Sequence, residues 1–242
     1  MKTFFTELLY KPLYNSLITI MDILPVADIA LATVILTIIV KFLLLPLSKQ
    51  AIKTQMLMKE IEGPLKELKE KYKDNPHEMA QNTLNLYREK GVNPFAGIFL
   101  IFIQLPIVIT LYFVFANTGL PNINLDLLYS FVSIPQNIQT TLFGVIDVTA
   151  NKSILIALFV LITQSIQIHY SMPKPSTTPQ TDNQFAHDLM KGLHFQMKYV
   201  LPIITAVFSY TLIAVVGLYW IVGNIFAIAQ EIYFRKTLKK DM

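Results

Sequence analysis

The chain has 242 residues, of which 53% are hydrophobic and only 15% charged, against about 25% charged in an ordinary globular protein; its mean hydropathy is +0.49. A soluble fold with so few charges would leave broad apolar surface in water, which excludes an ordinary cytosolic enzyme, a disordered chain and a collagen-like scaffold. With no cysteine, there is no disulfide framework, thiolate metal site, cysteine nucleophile or lipoprotein anchor. The net charge of +4 suits a membrane surface once the charges are sorted by segment, and no specific nucleic-acid partner is expected. The composition is that of an integral membrane protein.

Residues 1–25 are apolar but punctuated by Glu7, Lys11, Pro12, Asn15 and Asp22. A secretory signal is the obvious rival, but no basic n-region followed by a small-residue cleavage site of the expected form is read here. An amphipathic helix lying in the outer interface is expected, with a sixth, poorly formed span as the alternative. Crossing a hydrocarbon core takes about 20 apolar residues. Candidate stretches lie at 29–47, interrupted by Lys41, at 95–115, at 153–170 and at 199–230. The last is long for one span and short for two.

Basic residues settle the count, because cytoplasmic loops retain Lys and Arg. Nine lie between positions 49 and 90, none between 116 and 151, then Lys174, Lys191 and Lys198, then Arg235, Lys236, Lys239 and Lys240. Placing every basic segment on one side requires an even number of spans within 199–230, hence a tight hairpin turning near residues 210–216. The expected organisation is all-α: outer-surface helix 1–25, span 26–49, cytoplasmic helical hairpin 50–92, span 93–117, external loop 118–151, span 152–171, linker 172–190, spans 191–212 and 215–235, and a short cytoplasmic tail 236–242. The N-terminus lies outside and the C-terminus inside.

In the hairpin, Ile61, Leu65, Leu68 and Tyr72 form one apolar helical stripe, with Glu62–Lys66 and Glu67–Lys71 as acid-before-base pairs at i, i+4. Asp74-Asn75-Pro76 breaks the pattern. A second helix over about 76–89 presents Met79, Leu86 and Tyr87 before Gly91 ends it. Two readings stand: short helices packed on each other over a membrane, or a projecting partner-binding hairpin using Lys59, Lys66, Lys71, Tyr72, Asp74 and Pro76. The linker holds Pro173, Pro175 and Pro179 and reads as a mobile spacer.

Lys41 lies eight positions before Lys49, about 12 Å deeper along a helix. A charge near a span's centre costs about 2.5–3.5 kcal/mol on insertion scales. Snorkelling of the four-carbon stem recovers part of that depth. Thr33, Thr37 and Lys41, at i, i+4 and i+8, make a polar stripe that a hydrated groove explains better. Gln104, the pair Gln164 and Gln167, and the pair Trp220 and Asn224 are further candidates to line it. Each alone serves equally as interhelical glue worth about 0.6 kcal/mol. Pro106 and Pro202 are expected to kink their spans, and no acidic residue lies deep enough to pair with Lys41. There is no GxxxxGK[ST], HExxH or GxSxG, and His77, His169, His187 and His194 are scattered. No catalytic residue, metal or cofactor is expected.

The segments VKFLLLPLSKQ, GPLKELKEKYKDNP, LYREKGVNPFAGIFLIFIQLPI and GLYWIVGNIFAIAQ, in this order, resemble the YidC family of membrane protein insertases, which includes the mitochondrial Oxa and chloroplast Albino proteins. The resemblance covers nearly all of the chain. It implies five core spans, an outer amphipathic helix, a cytoplasmic hairpin and a hydrophilic groove closed to the outside. Lys41 matches a position where the family usually has Arg, which keeps the charge but loses the guanidinium fork. Leu100 and Ile213-Ala214-Val215 depart from the family pattern, as do the short tail and the missing cysteine. The implied function is ATP-independent insertion and folding of membrane proteins in a bacterial plasma membrane, by a multi-pass protein. Its implied partners are nascent membrane proteins, lipids, the Sec translocon, the signal-recognition receptor and the ribosome. The rivals are a secondary transporter or channel for a small anion, using Lys41 as counter-charge, and a purely structural assembly subunit.

Overall fold

The computed structural model describes residues 5–93, 96–118, 120–142, 144–171, 192 and 195–241; the expected linker 172–190 lies outside them. Helix α1, Lys11–Ile23, follows directly on a π-helical turn, Thr6–Tyr10. Its apolar positions Tyr14, Leu17, Ile18 and Met21, spaced on one helical face, are fully buried. They pack in a core with α2 (Ile29–Leu43), α6 (Ala96–Thr118) and the start of α9 (Ala214–Asp241). The apolar face expected to lie in the outer interface is thus turned to the protein, while Ser16 and Asp22 point outward.

Helix α2 starts at an N-cap, Asp28, whose carboxylate accepts the Leu31 N–H at 3.0 Å, satisfying one of the orphan donors of the first turn. It ends at Leu44, and α3 (Leu45–Glu60) leaves at a 60° bend. Pro46 explains the break: it has no N–H to continue the ladder, and its ring crowds the preceding residue. The span expected over 26–49 is built of two helices that meet at this bend, and the second reaches well into the segment read as hairpin. Then come α4 (Glu62–Lys71) and α5 (Pro76–Glu89). The Asn75 side chain caps α5 by accepting the Glu78 N–H. Gly91, at φ 61, closes α5 with paired bonds from Gly91 N to Arg88 O and Val92 N to Tyr87 O, a Schellman ending that a Cβ would strain. Neither Glu62–Lys66 nor Glu67–Lys71 closes into an ion pair. Among the described residues the ion pairs are Lys11–Glu7 and Arg235–Glu231, consistent with the small gain available to long side chains in water.

Beyond α6 the segment read as external loop contains a one-turn helix, Leu125–Leu127, and a two-stranded antiparallel ladder, β1 (Thr141–Leu142) with β2 (Ile146–Asp147). With two isolated bridges, Asp28 to Gln139 and Asn151 to Ile213, the ladder is the β structure among the described residues. Helix α7 (Ile154–Ser171) packs on α9 and on α8 (Leu201–Thr211). A second π-helical turn, Gln196–Val200, leads into α8, whose second residue is Pro202, widening the ladder where the proline removes a donor. Helix α6 runs through Pro106, with Thr110 Oγ1 donating to the Pro106 carbonyl at 2.7 Å. The chain turns between α8 and α9 at Leu212 and Ile213, inside the interval where the final hairpin was expected. Gly217 sits where α7, α8 and α9 converge, and a Cβ there would collide with Ile156 Cγ2 and Ser209 Oγ.

Among the described residues α7 and the stretch Ala214–Lys240 are long and apolar enough to cross a membrane, and α2 with α3 forms a third, bent candidate. Within α6 the stretch Ile103–Ala116 is likewise apolar. The tail read as separate from the last span is instead its continuation. Phe234 and Leu238 bury their side chains against Ile52, Leu45 and Met56 of α3, which keeps α9 helical to Asp241.

Candidate functional site

Lys41 stands one turn before the break at Leu44, half-buried, its stem against α9. Its Nζ donates to Gln104 Oε1 of α6 at 3.2 Å. The Gln104 amide in turn donates from Nε2 to the Tyr219 hydroxyl of α9, so one amide spans a cation and a phenol on two different helices. One turn beyond Tyr219 lies Gly223, where a Cβ would stand 3.1 Å from Lys41 Cε and 3.4 Å from Nζ. The glycine makes the room the ammonium occupies. Beside it Phe42 and Phe226 meet edge to face at 5.2 Å, a geometry that aromatic quadrupoles favour. No carboxylate pairs with Lys41 among the described residues, leaving a cation held by one neutral acceptor.

Thr33 and Thr37 share the Lys41 face, but both are buried and bond back along their own helix: Thr33 Oγ1 to Ile29 O at 2.8 Å and Thr37 Oγ1 to Thr33 O at 2.6 Å. The stripe is real as geometry, and its hydroxyl hydrogens are already used. The remaining candidates form a second polar line between α7 and α9. Asn224 Nδ2 donates to Thr163 Oγ1 at 3.2 Å. Gln164 bonds Gln167 at 3.4 Å, Gln167 Nε2 bonds Ser171 Oγ at 3.0 Å, and Ser171 Oγ donates to Glu231 Oε2 at 3.4 Å. Glu231, nearly wholly buried, also accepts from Arg235 Nε at 2.5 Å. Trp220 packs with Ile156, Val160 and Ala214 as well as with the main core. Thus Lys41 and Gln104 come together on the 219/223 face of α9, while Trp220, Asn224, Gln164 and Gln167 belong to its α7-facing side.

Sequence reasoning missed Tyr219, Gly223, Thr163 and Glu231. Tyr219 and Gly223 are separated by one turn, a spacing visible in GLYWIVGN. Glu231 and Arg235 obey the same acid-before-base rule applied to the hairpin. In the hairpin, Lys59, Lys71, Asp74 and Pro76 are exposed and Lys66 and Tyr72 half-buried. The Lys71 ammonium lies 5.2 Å from the centre of the Tyr72 ring, within cation–π range.

Membrane-length apolar helices, with a lysine clasped between three of the packed helices, define an integral membrane protein of the helical class. The family model for the 60Kd inner membrane protein matches residues 22–241. A curated relative from Oceanobacillus iheyensis, named membrane protein insertase YidC, is 31% identical over 86% of this chain and 75% of its own length. Relatives of the same name from Chlorobium limicola and Prosthecochloris aestuarii are 30% and 29% identical over 89% and 90% of this chain. The chain spans only about a third of their length, 34% and 36%. The chain belongs to the 60Kd inner membrane protein family, the YidC family of bacterial membrane proteins.

Proposed function

We propose that the chain is a membrane protein insertase and chaperone that moves short external tails and spans of nascent membrane proteins into the bilayer without ATP hydrolysis. The observation that carries this reading is Lys41: a cation among apolar helices, held by the neutral Gln104 amide, with no carboxylate paired to it among the described residues. An ionisable group inside a membrane bundle marks a functional path by default, and an acidic residue in an arriving tail is the partner this reading gives it. The name borne by the relatives is the second support. In this reading Lys41, Gln104 and Tyr219 form the charged end of a hydrophilic groove. Asn224, Gln164 and Gln167 offer further hydrogen bonds, and Trp220 meets the emerging helix. Thr33 and Thr37 set the face that Lys41 occupies. Transfer of the substrate's apolar surface into lipid supplies the net free energy.

The topology that goes with this function has five spans, with the N-terminus outside and the C-terminus in the cytoplasm. The hairpin presents Lys59, Lys66, Lys71, Tyr72, Asp74 and Pro76 to the Sec translocon, the signal-recognition receptor or the ribosome. The test is rescue. In cells depleted of their own insertase, this chain restores the insertion of single-span proteins, scored by protease accessibility of their external tails. Failure to restore any such substrate, together with anion flux through vesicles carrying the purified chain, would replace this reading with that of a transporter.

A further inference from the structure

Between α6 and α7 the chain carries no lysine or arginine from residue 116 to residue 151. Yet this segment turns some of its largest apolar side chains outward: Phe131 and Val145 are each 80% exposed, and Leu125 and Ile134 are more than half exposed. A single exposed apolar residue needs no explanation; four along one segment free of lysine and arginine call for one.

The segment is firmly held. Asn15 of α1 donates to Leu127 O at 2.9 Å and accepts the Tyr129 N–H at 2.7 Å, and the Tyr14 hydroxyl accepts the Asn124 N–H at 2.8 Å. Val132, the neighbour of Phe131, is buried in the main core. Phe131 stacks at 5.4 Å on Tyr129, and Val145 follows Gly144 in the turn of the β1–β2 ladder. The fold therefore presents these side chains outward at fixed positions.

Their height in the bundle identifies what they meet. Gln139 pairs with Ala27 and Ile29 at the first turn of α2, while Val148 and Ala150 accept from Val215 and Ala214 at the first turn of α9. The segment thus lies across the ends of the apolar helices, at the level where Leu31 of α2 and Ile154 and Leu155 of α7 begin their own exposed faces. We infer that the segment is a lipid-contacting collar, with Phe131 and Val145, flanked by Leu125 and Ile134, entering the headgroup–acyl boundary of the leaflet on that side. Apolar side chains at that depth gain by leaving water, and a tyrosine ring beside Phe131 suits the same boundary. Because its only charges are Asp126 and Asp147, the collar inserts through apolar area and needs no anionic lipid.

This inference rests on the spanning topology proposed above. The chain has no cysteine, so Phe131→Cys, Val145→Cys, Ser133→Cys, Gln136→Cys and Ile154→Cys each carry one environment-sensitive label in the full chain. The chains are reconstituted in vesicles of phosphatidylcholine, alone or with phosphatidylglycerol, containing a lipid with a shallow nitroxide. Labels at 131 and 145 are expected to emit blue-shifted light and to lose as much intensity to the nitroxide as the label at 154, equally in both lipids. Labels at 133 and 136 stay close to their values without nitroxide. Losses at 131 and 145 no greater than at 133 and 136 overturn the collar while leaving the topology intact. A blue shift that fades as the chain is diluted in lipid, with no nitroxide effect, assigns the patch to contact between copies and also overturns it. No loss at 154 overturns the topology and the collar together.

Discussion

Lys41 and Gly223 are fitted to each other across α2 and α9: a single added carbon at 223 would stand 3.1 Å from Lys41 Cε. The contact is with the far end of a flexible side chain, so Gly223→Ala displaces the ammonium rather than the helices. Alanine also gains about 0.5–1 kcal/mol of helix stability over glycine. The expected outcome is an unchanged or slightly raised melting temperature. Insertion of acidic-tailed substrates falls about 2–5-fold, because the Lys41–Gln104 bond is weakened by roughly 0.5–1 kcal/mol. Gly217→Ala is the contrast, since its Cβ meets Ile156 and Ser209 where three helices converge. There overpacking of about 1–3 kcal/mol outweighs the helix gain, and the melting temperature drops. Thermal unfolding in detergent, with the insertion assay, reads both.

The pair at the far end of α9 makes a second prediction. Glu231 is buried while Arg235 is partly exposed, and Ser171 is the carboxylate's other partner. Removing the cation leaves a buried charge with one weak donor, which costs more than neutralising the acid in place. Arg235→Met is expected to destabilise the chain by about 1–3 kcal/mol, Glu231→Gln by less, and the double variant by less than Arg235→Met alone. Thermal unfolding of the four proteins forms the cycle; strictly additive losses would show that the pair is not coupled.

Asp147 gives a pH dependence outside the spans. Its carboxylate accepts the Thr149 hydroxyl at 2.6 Å and the Thr149 N–H at 2.9 Å, and the hydroxyl first of all holds its pKa below the ordinary 3.8. A depressed carboxylate stabilises the fold fully above its unfolded value and loses that contribution as pH falls through the folded one. The stability gap between the wild-type chain and Asp147→Asn is therefore expected to be constant above about pH 5 and to close in more acidic solution. Thr149→Val should bring the pH range of that closure upward.

The hairpin divides in two under amide exchange. Helix α3 docks Ile52 and Met56 on Phe234 and Leu238 of α9, whereas the described contacts of α4 and α5 are with each other and, for α4, with α3. Exchange is expected to be fast over residues 62–90 and markedly slower over 45–60, because local opening follows the apolar contacts that must be broken. Uniform protection from 45 to 90 would show that the whole hairpin is docked.

Helical spacing was enough to single out Lys41, to place Thr33 and Thr37 on its face, and to end α5 at Gly91. It could not say which helix faces that side, and so Gln104 was read as one more polar residue rather than the bridge to Tyr219. The break at Leu44 was written in Pro46, but the surrounding leucines read as one continuous span. The burial of α1 was hidden for a different reason: an amphipathic pattern is the same whether its apolar face meets lipid or protein, and tertiary contacts such as those of Asn15 with Leu127 and Tyr129 distinguish the two. The helical tail is likewise a tertiary effect, since Phe234 and Leu238 bury their side chains against Ile52.

The charge at Lys41 is the sharpest test of mechanism. If attraction to an acidic tail drives entry, Lys41→Arg keeps insertion, because the charge remains and the donor set grows, although the larger head must fit beside Gly223. Lys41→Gln removes the charge while leaving a group able to bond Gln104. The expected outcome is a loss of about 5–30-fold for substrates with Asp in the external tail, corresponding to ~1–2 kcal/mol for a partly hydrated pair. Substrates with Asn at the same place lose much less. If the lysine merely snorkels, Lys41→Gln is tolerated and raises stability, since a deep charge has been removed. The matched Asp and Asn substrates, scored in depleted cells rescued by each variant, separate the two. Equal insertion of both by wild type and by Lys41→Gln would remove electrostatic attraction from the mechanism and leave Gln104 and Tyr219 to act as neutral hydrogen-bonding groups.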